Sequence, residues 1–389
     1  MAEKTKNYPD PVLLGVSAIL IVFGVLVLSS VSSTLSIERF GDPFYFLKHQ
    51  ILKGLIPALI FGFLAFKINI KIFKQYAFAL FLINLLLVGM VLIPGLGVRY
   101  GGAVRWFDLK IFLFQPSEFL KLTFILYLAA LMESKVRSNI VPEKILLSRK
   151  SKAVSKQDWR SSIPNLAIFI TLFGLVGLFL IKQPDLSTFS IIAFTTIIVY
   201  FIANTPFWHS VFLVLLGAGG FWFLITKMPY AAARITVFLN QNFDPLGKGY
   251  QIKQAMIAIG SGGIWGLGYG MSRQKFGFLP EAMSDTIFSI ISEEMGFIGG
   301  VFLILCFLIF LWRGLGIAKK SPDKFSQLVA TGITIWIVFQ AFLNIGSIIR
   351  VMPPTGVPLP FISYGGSHLL IEFIALGVLL NISKNRKIV

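Results

Sequence analysis

The chain has 389 residues, 56% hydrophobic and only 13% charged, with a formal net charge of +18. Soluble domains carry about 25% charged residues and disordered chains are poorer in apolar ones, so both classes are excluded, and the single cysteine, Cys306, excludes an intrachain disulfide scaffold. What remains is an all-α polytopic membrane protein, because the apolar runs outlast the strands of a membrane barrel.

Apolar segments follow one another at Val12–Ser30, Ile51–Phe66, Tyr76–Ile93, Phe119–Met132, Leu166–Ile181, Phe189–Ala203, Val211–Ile225, Phe297–Trp312, Leu328–Ile349 and Leu369–Ile382. A bilayer core takes about 20 helical residues, so the shorter segments are expected to recruit polar flanks, giving ten transmembrane helices. The first has no small-residue cleavage site after it and follows a lysine-bearing tail, so it reads as a retained helix and not a signal peptide. Ten spans put both termini on one side. With that side cytoplasmic, the inside segments hold 20 of the 35 Lys and Arg, eight of them between Lys135 and Arg160. The positive-inside rule therefore predicts cytoplasmic termini, a cytoplasmic loop at about 134–162, and one membrane domain over residues 1–389.

Two long segments then fall outside, at about 94–115 and 226–284, the second between helices 7 and 8. They carry nine basic residues, Arg99, Arg105, Lys110, Lys227, Arg234, Lys248, Lys253, Arg273 and Lys275, against Asp108, Asp244 and Glu281. In a soluble protein the excess would suggest nucleic acid. On an outer membrane face it suggests an anionic ligand, or equally the headgroups of anionic lipids.

Ionisable groups inside the apolar belt are costly and are paired or functional. Glu118 and Lys121, three residues apart at the start of the fourth span, share a helix face and can neutralise each other. Asp185, in the break Gln183-Pro184-Asp185-Leu186, fits a helix N-cap. Glu372 and Arg350 are further buried-charge candidates. In Leu279-Pro280-Glu281-Ala282-Met283-Ser284-Asp285 an outer loop ends where a helix begins, so Ser284 and Asp285 fit a helix N-terminus. A carboxylate at that boundary could also take a proton from a substrate hydroxyl while nearby cations hold a phosphate. The three histidines, His49, His209 and His368, are far apart, and no metal-site spacing occurs. The glycine run from Gly260 to Gly268 lacks the Lys-Ser/Thr of a nucleotide loop.

Several motifs resemble those of the SEDS family (shape, elongation, division and sporulation) of bacterial membrane proteins. They are Gly101-Gly102-Ala103-Val104-Arg105-Trp106, Gln115-Pro116-Ser117-Glu118-Phe119-Leu120-Lys121, Gln183-Pro184-Asp185-Leu186, Asp244-Pro245-Leu246-Gly247, Gly249-Tyr250-Gln251, Leu279-Pro280-Glu281-Ala282 and Gly356-Val357-Pro358-Leu359-Pro360-Phe361-Ile362-Ser363-Tyr364-Gly365-Gly366-Ser367. The resemblance spans nearly the whole chain and departs from the family pattern at Met283, Ser284 and His368. Tyr45-Phe46-Leu47-Lys48-His49-Gln50 and Ser272-Arg273-Gln274-Lys275 are more like division members than elongation members.

The resemblance implies a peptidoglycan glycosyltransferase that polymerises lipid II, an undecaprenyl diphosphate-linked disaccharide-pentapeptide, at the outer face of the bacterial cytoplasmic membrane, at the division septum. It puts the essential carboxylate on Asp285. Arg105, Arg273 and Lys275 are then the expected phosphate contacts, Glu281 belongs to the same substrate face, and Glu118 with Lys121 shapes an intramembrane cavity. It also implies a class B penicillin-binding protein as partner, alongside other division-complex membrane proteins, and leaves a divalent cation open. Two alternatives stand beside it: a lipid II flippase using Glu118, Lys121 and Glu372 as a polar path, and a non-catalytic scaffold.

Overall fold

A computed structural model describes residues 8–100, 103–110, 113–138, 159–203, 205–240, 244 and 247–384. Helix α1 (Pro11–Phe40) opens at Asp10, whose carboxylate accepts from the Leu13 amide at 3.0 Å, and closes at Gly41. A short α2 (Tyr45–His49) passes through a π-helical turn, Gln50–Leu55, into α3 (Ile56–Lys67), and α4 (Ile70–Met90) follows. After α5 (Pro116–Ser138) come α6 (Trp159–Lys182), α7 (Leu186–Ile202) and α8 (Phe207–Lys227). Two shorter helices, α9 (Pro229–Leu239) and α10 (Lys248–Gly262), precede α11 (Ile287–Lys319), α12 (Lys324–Ile348) and α13 (Gly366–Lys384).

Each of the ten apolar segments falls largely on one of these helices. Among the described residues, seven helical stretches are long and apolar enough to cross a membrane: α1, α2 through α3, α4, α8, α11, α12 and α13. Leu166–Lys182 and Leu186–Ile202 are shorter apolar helices. Helices α12 and α13 lie at the centre, with Trp336 and Glu372 fully buried, whereas α8 exposes large apolar side chains such as Trp222 and Leu215.

The long polar segments are more ordered than hydropathy suggests. Residues 94–115 contain a small antiparallel sheet, β1 (Val98–Tyr100), β2 (Ala103–Asp108) and β3 (Leu113–Phe114), in the order β1-β2-β3. Val104, Trp106 and Phe107 are the β-branched and aromatic types that favour such pairing. Within 226–284, Pro229 at the first turn and the run Ala231–Ala233 start α9, which is too short for a membrane-length window to register. The loop expected at 134–162 is shorter at both ends, since α5 reaches Ser138 and α6 starts at Trp159; its middle, 139–158, lies outside the described residues.

Helix α11 is broken at Gly296, whose φ of 66° and ψ of −164° interrupt the helical ladder. The carbonyls this leaves open are met from the side, Glu293 O by the Leu267 amide (2.9 Å) and Glu294 O by the Gly268 amide (3.0 Å), while the Phe297 amide donates to Gly263 O (2.9 Å). The first turns of α11, on both sides of the break, are thus bonded to residues 263–268, which follow α10.

At the opposite end of the bundle, the buried Asp10 joins three helices. Its amide donates to Ser383 Oγ of α13 at 3.0 Å, and its carboxylate accepts from Arg313 of α11 through Nε (3.2 Å) and Nη2. Removing one partner of a buried pair costs about 3–5 kcal/mol, and solvent around Arg313 brings this to about 2–3 kcal/mol. Asp10→Ala should accordingly lower the thermal unfolding midpoint of detergent-solubilised protein; an unchanged midpoint would show that the three helix ends are held by packing alone.

Candidate functional site

Asp285 sits in a run of turns over residues 281–286, and α11 begins only at Ile287. The N-cap falls on Thr286, which makes no capping bond with its side chain. The half-buried Asp285 carboxylate instead meets α10, where Gln251 Nε2 donates to Oδ1 at 3.4 Å, with Ser284 Oγ at 3.5 Å. The Ser284 hydroxyl donates at shorter range to the carboxylate of the exposed Glu281 (2.8 Å), a residue held at a φ of 54°. A cavity of about 40 Å³ opens against Asp285, lined by Gln251, Thr286, Ser347, Thr355 and Gly356 among others.

Gly356 explains how a second charge reaches this point. Its φ is +67°, and a Cβ placed on it would stand 3.4 Å from Asp285 Oδ2 and 3.9 Å from Arg234 Nη2. A side chain there would fill the gap between carboxylate and guanidinium. Arg234, on α9, donates through Nη1 to Ser187 Oγ (2.9 Å) and through Nη2 to Tyr230 OH, and stacks on the Tyr230 ring at 4.5 Å. Its Nε is buried without a hydrogen-bond partner. Burial pushes the Arg234 pKa down and Arg105 adds to this, while Tyr230 and Asp185 oppose it. Cationic groups facing each other in partial burial make a site that favours an anion.

Arg105 reaches the same region from β2. It donates Nε to Gln183 O at 3.1 Å and Nη2 to Pro184 O, the break between α6 and α7. Asp185 caps α7 as expected, accepting from the Thr188 amide (3.3 Å), and also accepts from Ser117 Oγ (2.9 Å) of α5. The Ser187 hydroxyl donates to Thr355 O next to Gly356. Arg234 is thus linked to the cavity through Ser187 and Thr355, and Arg105 stands behind it at the α6–α7 break; neither lines it. Arg234 was one outer cation among nine in the sequence; only the approach across Gly356 singles it out.

Glu118 and Lys121 form the expected pair at 2.7 Å, both buried, with Lys121 Nζ also donating to Gln340 Oε1 (2.8 Å) and lying 5.1 Å from the Trp336 ring centre. Gln340 passes the network on, donating to Glu372 Oε1 (3.2 Å) and Pro358 O (3.1 Å), and Glu372 accepts from the Phe361 amide (2.8 Å). The pair therefore supports the inner side of the α12–α13 loop whose Gly356 faces Asp285.

Lys275 departs from its expected place at a phosphate. It is buried, with Nζ donating to Glu294 Oε1 (3.1 Å), Ser30 Oγ (2.9 Å) and Gly270 O (2.7 Å), so all three of its N–H bonds are taken. Burial of an ammonium in a segment otherwise surrounded by helices requires such partners, and Glu294 lies across the loop where sequence spacing cannot reveal it. The Arg273 amide donates to Glu293 Oε1 at 3.1 Å and its side chain is exposed. Among the described residues Asp285 is the one carboxylate lining the cavity, fewer than the oxygen ligands that an all-protein cage for Mg²⁺ or Ca²⁺ needs.

Comparison with known proteins adds independent findings. Residues 11–388 match the cell cycle protein family FtsW/RodA/SpoVE. Stage V sporulation protein E of Bacillus subtilis is 39% identical, over 97% of this chain and 98% of its own. A probable peptidoglycan glycosyltransferase FtsW of Trichlorobacter lovleyi is 36% identical, over 97% and 94%. In structure, the chain is similar to one from a peptidoglycan synthase complex that coordinates polymerization and crosslinking, with a TM-score of 0.72, 26% identity, and 97% and 98% of the two chains covered. It is also similar to the rod shape determining protein RodA of Thermus thermophilus, with a TM-score of 0.66, 25% identity, and 97% of each chain covered.

Proposed function

Because the chain belongs to the FtsW/RodA/SpoVE family of cell cycle proteins, we propose that its reaction is built on Asp285 as general base, with Arg234 and Arg105 holding the diphosphate of a lipid-linked sugar donor. The chain is a peptidoglycan glycosyltransferase of cell-wall synthesis with a RodA-like, mostly helical fold. The substrate we assign is lipid II. Its polymerisation joins the 4-hydroxyl of an acceptor sugar to the anomeric carbon of a donor. The Asp285 carboxylate takes the hydroxyl proton, the oxygen bonds to the anomeric carbon, and the bond to the lipid diphosphate breaks with its electron pair going to phosphate. Guanidinium groups stabilise the charge that grows there. The observation that supports this reading is the approach of the Asp285 carboxylate and the Arg234 guanidinium across Gly356, one suited to a proton and the other to a phosphate.

The setting we infer is a single membrane domain of ten spans with cytoplasmic termini and Asp285 at the outer surface. The basic residues of the inside segments, and the nearness of Arg105 on β2 to Arg234 on α9 beside the turn that meets α10 at Gln251, support it. A class B penicillin-binding protein and other septal membrane proteins are the partners, since one similar structure belongs to a complex joining polymerization to crosslinking. In the flippase alternative Glu118, Lys121 and Glu372 form the path, yet their polar atoms are engaged with one another, Gln340 and Phe361. We therefore favour chemistry over translocation.

Purified protein with its class B partner should extend labelled lipid II into glycan strands. Arg234→Ala should lower kcat/KM by about 10- to 100-fold, the worth of one charge-assisted hydrogen bond of about 1.5–3 kcal/mol. Headgroup translocation in vesicles without chain growth would overturn the assignment in favour of a flippase.

A further inference from the structure

Three consecutive carbonyls of the Asp285 turn are each held by a donor from outside it. Met283 O accepts from the Tyr364 amide at 2.8 Å, Ser284 O from the Ser363 hydroxyl, and Asp285 O from Asn344 Nδ2 at 2.8 Å. The Asn344 amide does two things at once, because Nδ2 also donates to Val357 O at 2.7 Å. Ser363 Oγ is fixed in turn by the Leu359 amide at 2.8 Å.

Asn344 lies on α12 and is 1% exposed. With two carbonyls in front of it, only the NH₂ end of its amide can face them. Its Oδ1 is buried with no hydrogen-bond partner. An apolar side chain at this position would avoid that cost, so packing does not account for an amide; the bridge between two backbone segments does.

What the bridge joins is the two sides of the cavity. Val357 follows Gly356, across which Asp285 and Arg234 approach. On the other side, Thr355 O accepts from Ser187 Oγ, which itself accepts from Arg234 Nη1 at 2.9 Å. A continuous path therefore runs from the guanidinium through Ser187 and the α12–α13 loop to Asn344 and the Asp285 turn. We infer that Asn344 is a positioning residue for the transferase: by bridging Asp285 O and Val357 O it sets where the carboxylate stands relative to the cationic side of the cavity, and Ser363 shares the task. The inference rests on Asp285 being the base.

The test is steady-state polymerisation of lipid II by the full chain with its class B partner, with rates normalised to folded protein from thermal unfolding. Asn344→Leu keeps the volume and removes both donors. Its kcat should fall about 10- to 100-fold, the scale of a displacement of about 1 Å at the reacting groups. Its KM for lipid II should stay within about twofold, because phosphate binding is left in place. Ser363→Ala should show a smaller fall of the same kind, and the double variant should fall by less than the product of the two, since both act through one turn. Should Asn344→Leu fail to fold, the hydroxyl deletion at Ser363 decides alone. A kcat per folded molecule within about twofold of wild type, or a raised KM at unchanged kcat, overturns the inference. Asp285→Asn is measured in parallel: if it is inactive while Asn344→Leu is not, positioning fails and the base stands, whereas an active Asp285→Asn removes the base itself.

Discussion

Asp285→Asn protein, folded and bound to its class B partner, is expected to polymerise lipid II about 10²- to 10⁴-fold more slowly than wild type, the range a positioned general base supplies. The substitution is nearly isosteric. An asparagine oxygen can still accept from Gln251, whose Nε2 lies 3.4 Å from Oδ1, and the carbonyl held by Asn344 belongs to the backbone. What disappears is the capacity to take a proton. Arg234 and Arg105 remain, so lipid II binding should persist and the loss should fall on kcat. Strand length resolved on gels, together with retention of labelled lipid II, separates these two quantities. Wild-type chain growth by the variant would sink the assignment, and loss of binding with loss of growth would move Asp285 from chemistry to recognition.

Lys121→Met is expected to be the most destabilising single change, because it strands Glu118 in the interior. Lys121 and Glu118 have side chains exposed by 1% and 7%, and their 2.7 Å contact is continued to Gln340 Oε1 at 2.8 Å. Breaking a buried pair on one side costs about 3–5 kcal/mol, whereas replacing both partners by apolar groups can be close to neutral. The single variant should therefore unfold on the order of 10 °C lower in detergent, and Glu118→Leu combined with Lys121→Met should recover much of that loss. If Lys121→Met keeps its unfolding midpoint and loses polymerisation, the pair takes part in the reaction and its structural role is wrong.

The helices were legible because lipid-facing and core-facing positions are both apolar, so length alone marks them. The pairing of Glu118 with Lys121 was legible too, since a spacing of three puts both on one helix face, and Asp185 announced its cap through its proline neighbour. The rest depends on contacts between distant segments. Lys275 reads as a surface cation until Glu294 and Ser30 are found around it. Arg234 gains its place through Ser187 and Gly356, 47 residues before it in one case and on a different loop in the other. Asn344 has no sequence signal of its own, being one of several polar residues in the span with Thr331, Thr334, Gln340 and Ser347. The sheet at 98–114 and the helices α9 and α10 are too short for a membrane-length hydropathy window to mark.

The break at Gly296 separates two mechanical regimes within α11. Residues 297–319 are a long apolar rod whose tilt answers to the thickness of the surrounding lipid. An unbroken helix would act as a lever, turning each change in that tilt into a displacement of the Asp285 turn, about three helical turns ahead of the break. Here the short piece ahead of the break is fastened to Leu267 and Gly268, and the first residues of the rod, Phe297 and Ile298, to Gly263 and Ile264. Both sides of the break share one anchor, residues 263–268 after α10, so a motion of the rod must carry that segment with it before it reaches the Asp285 turn.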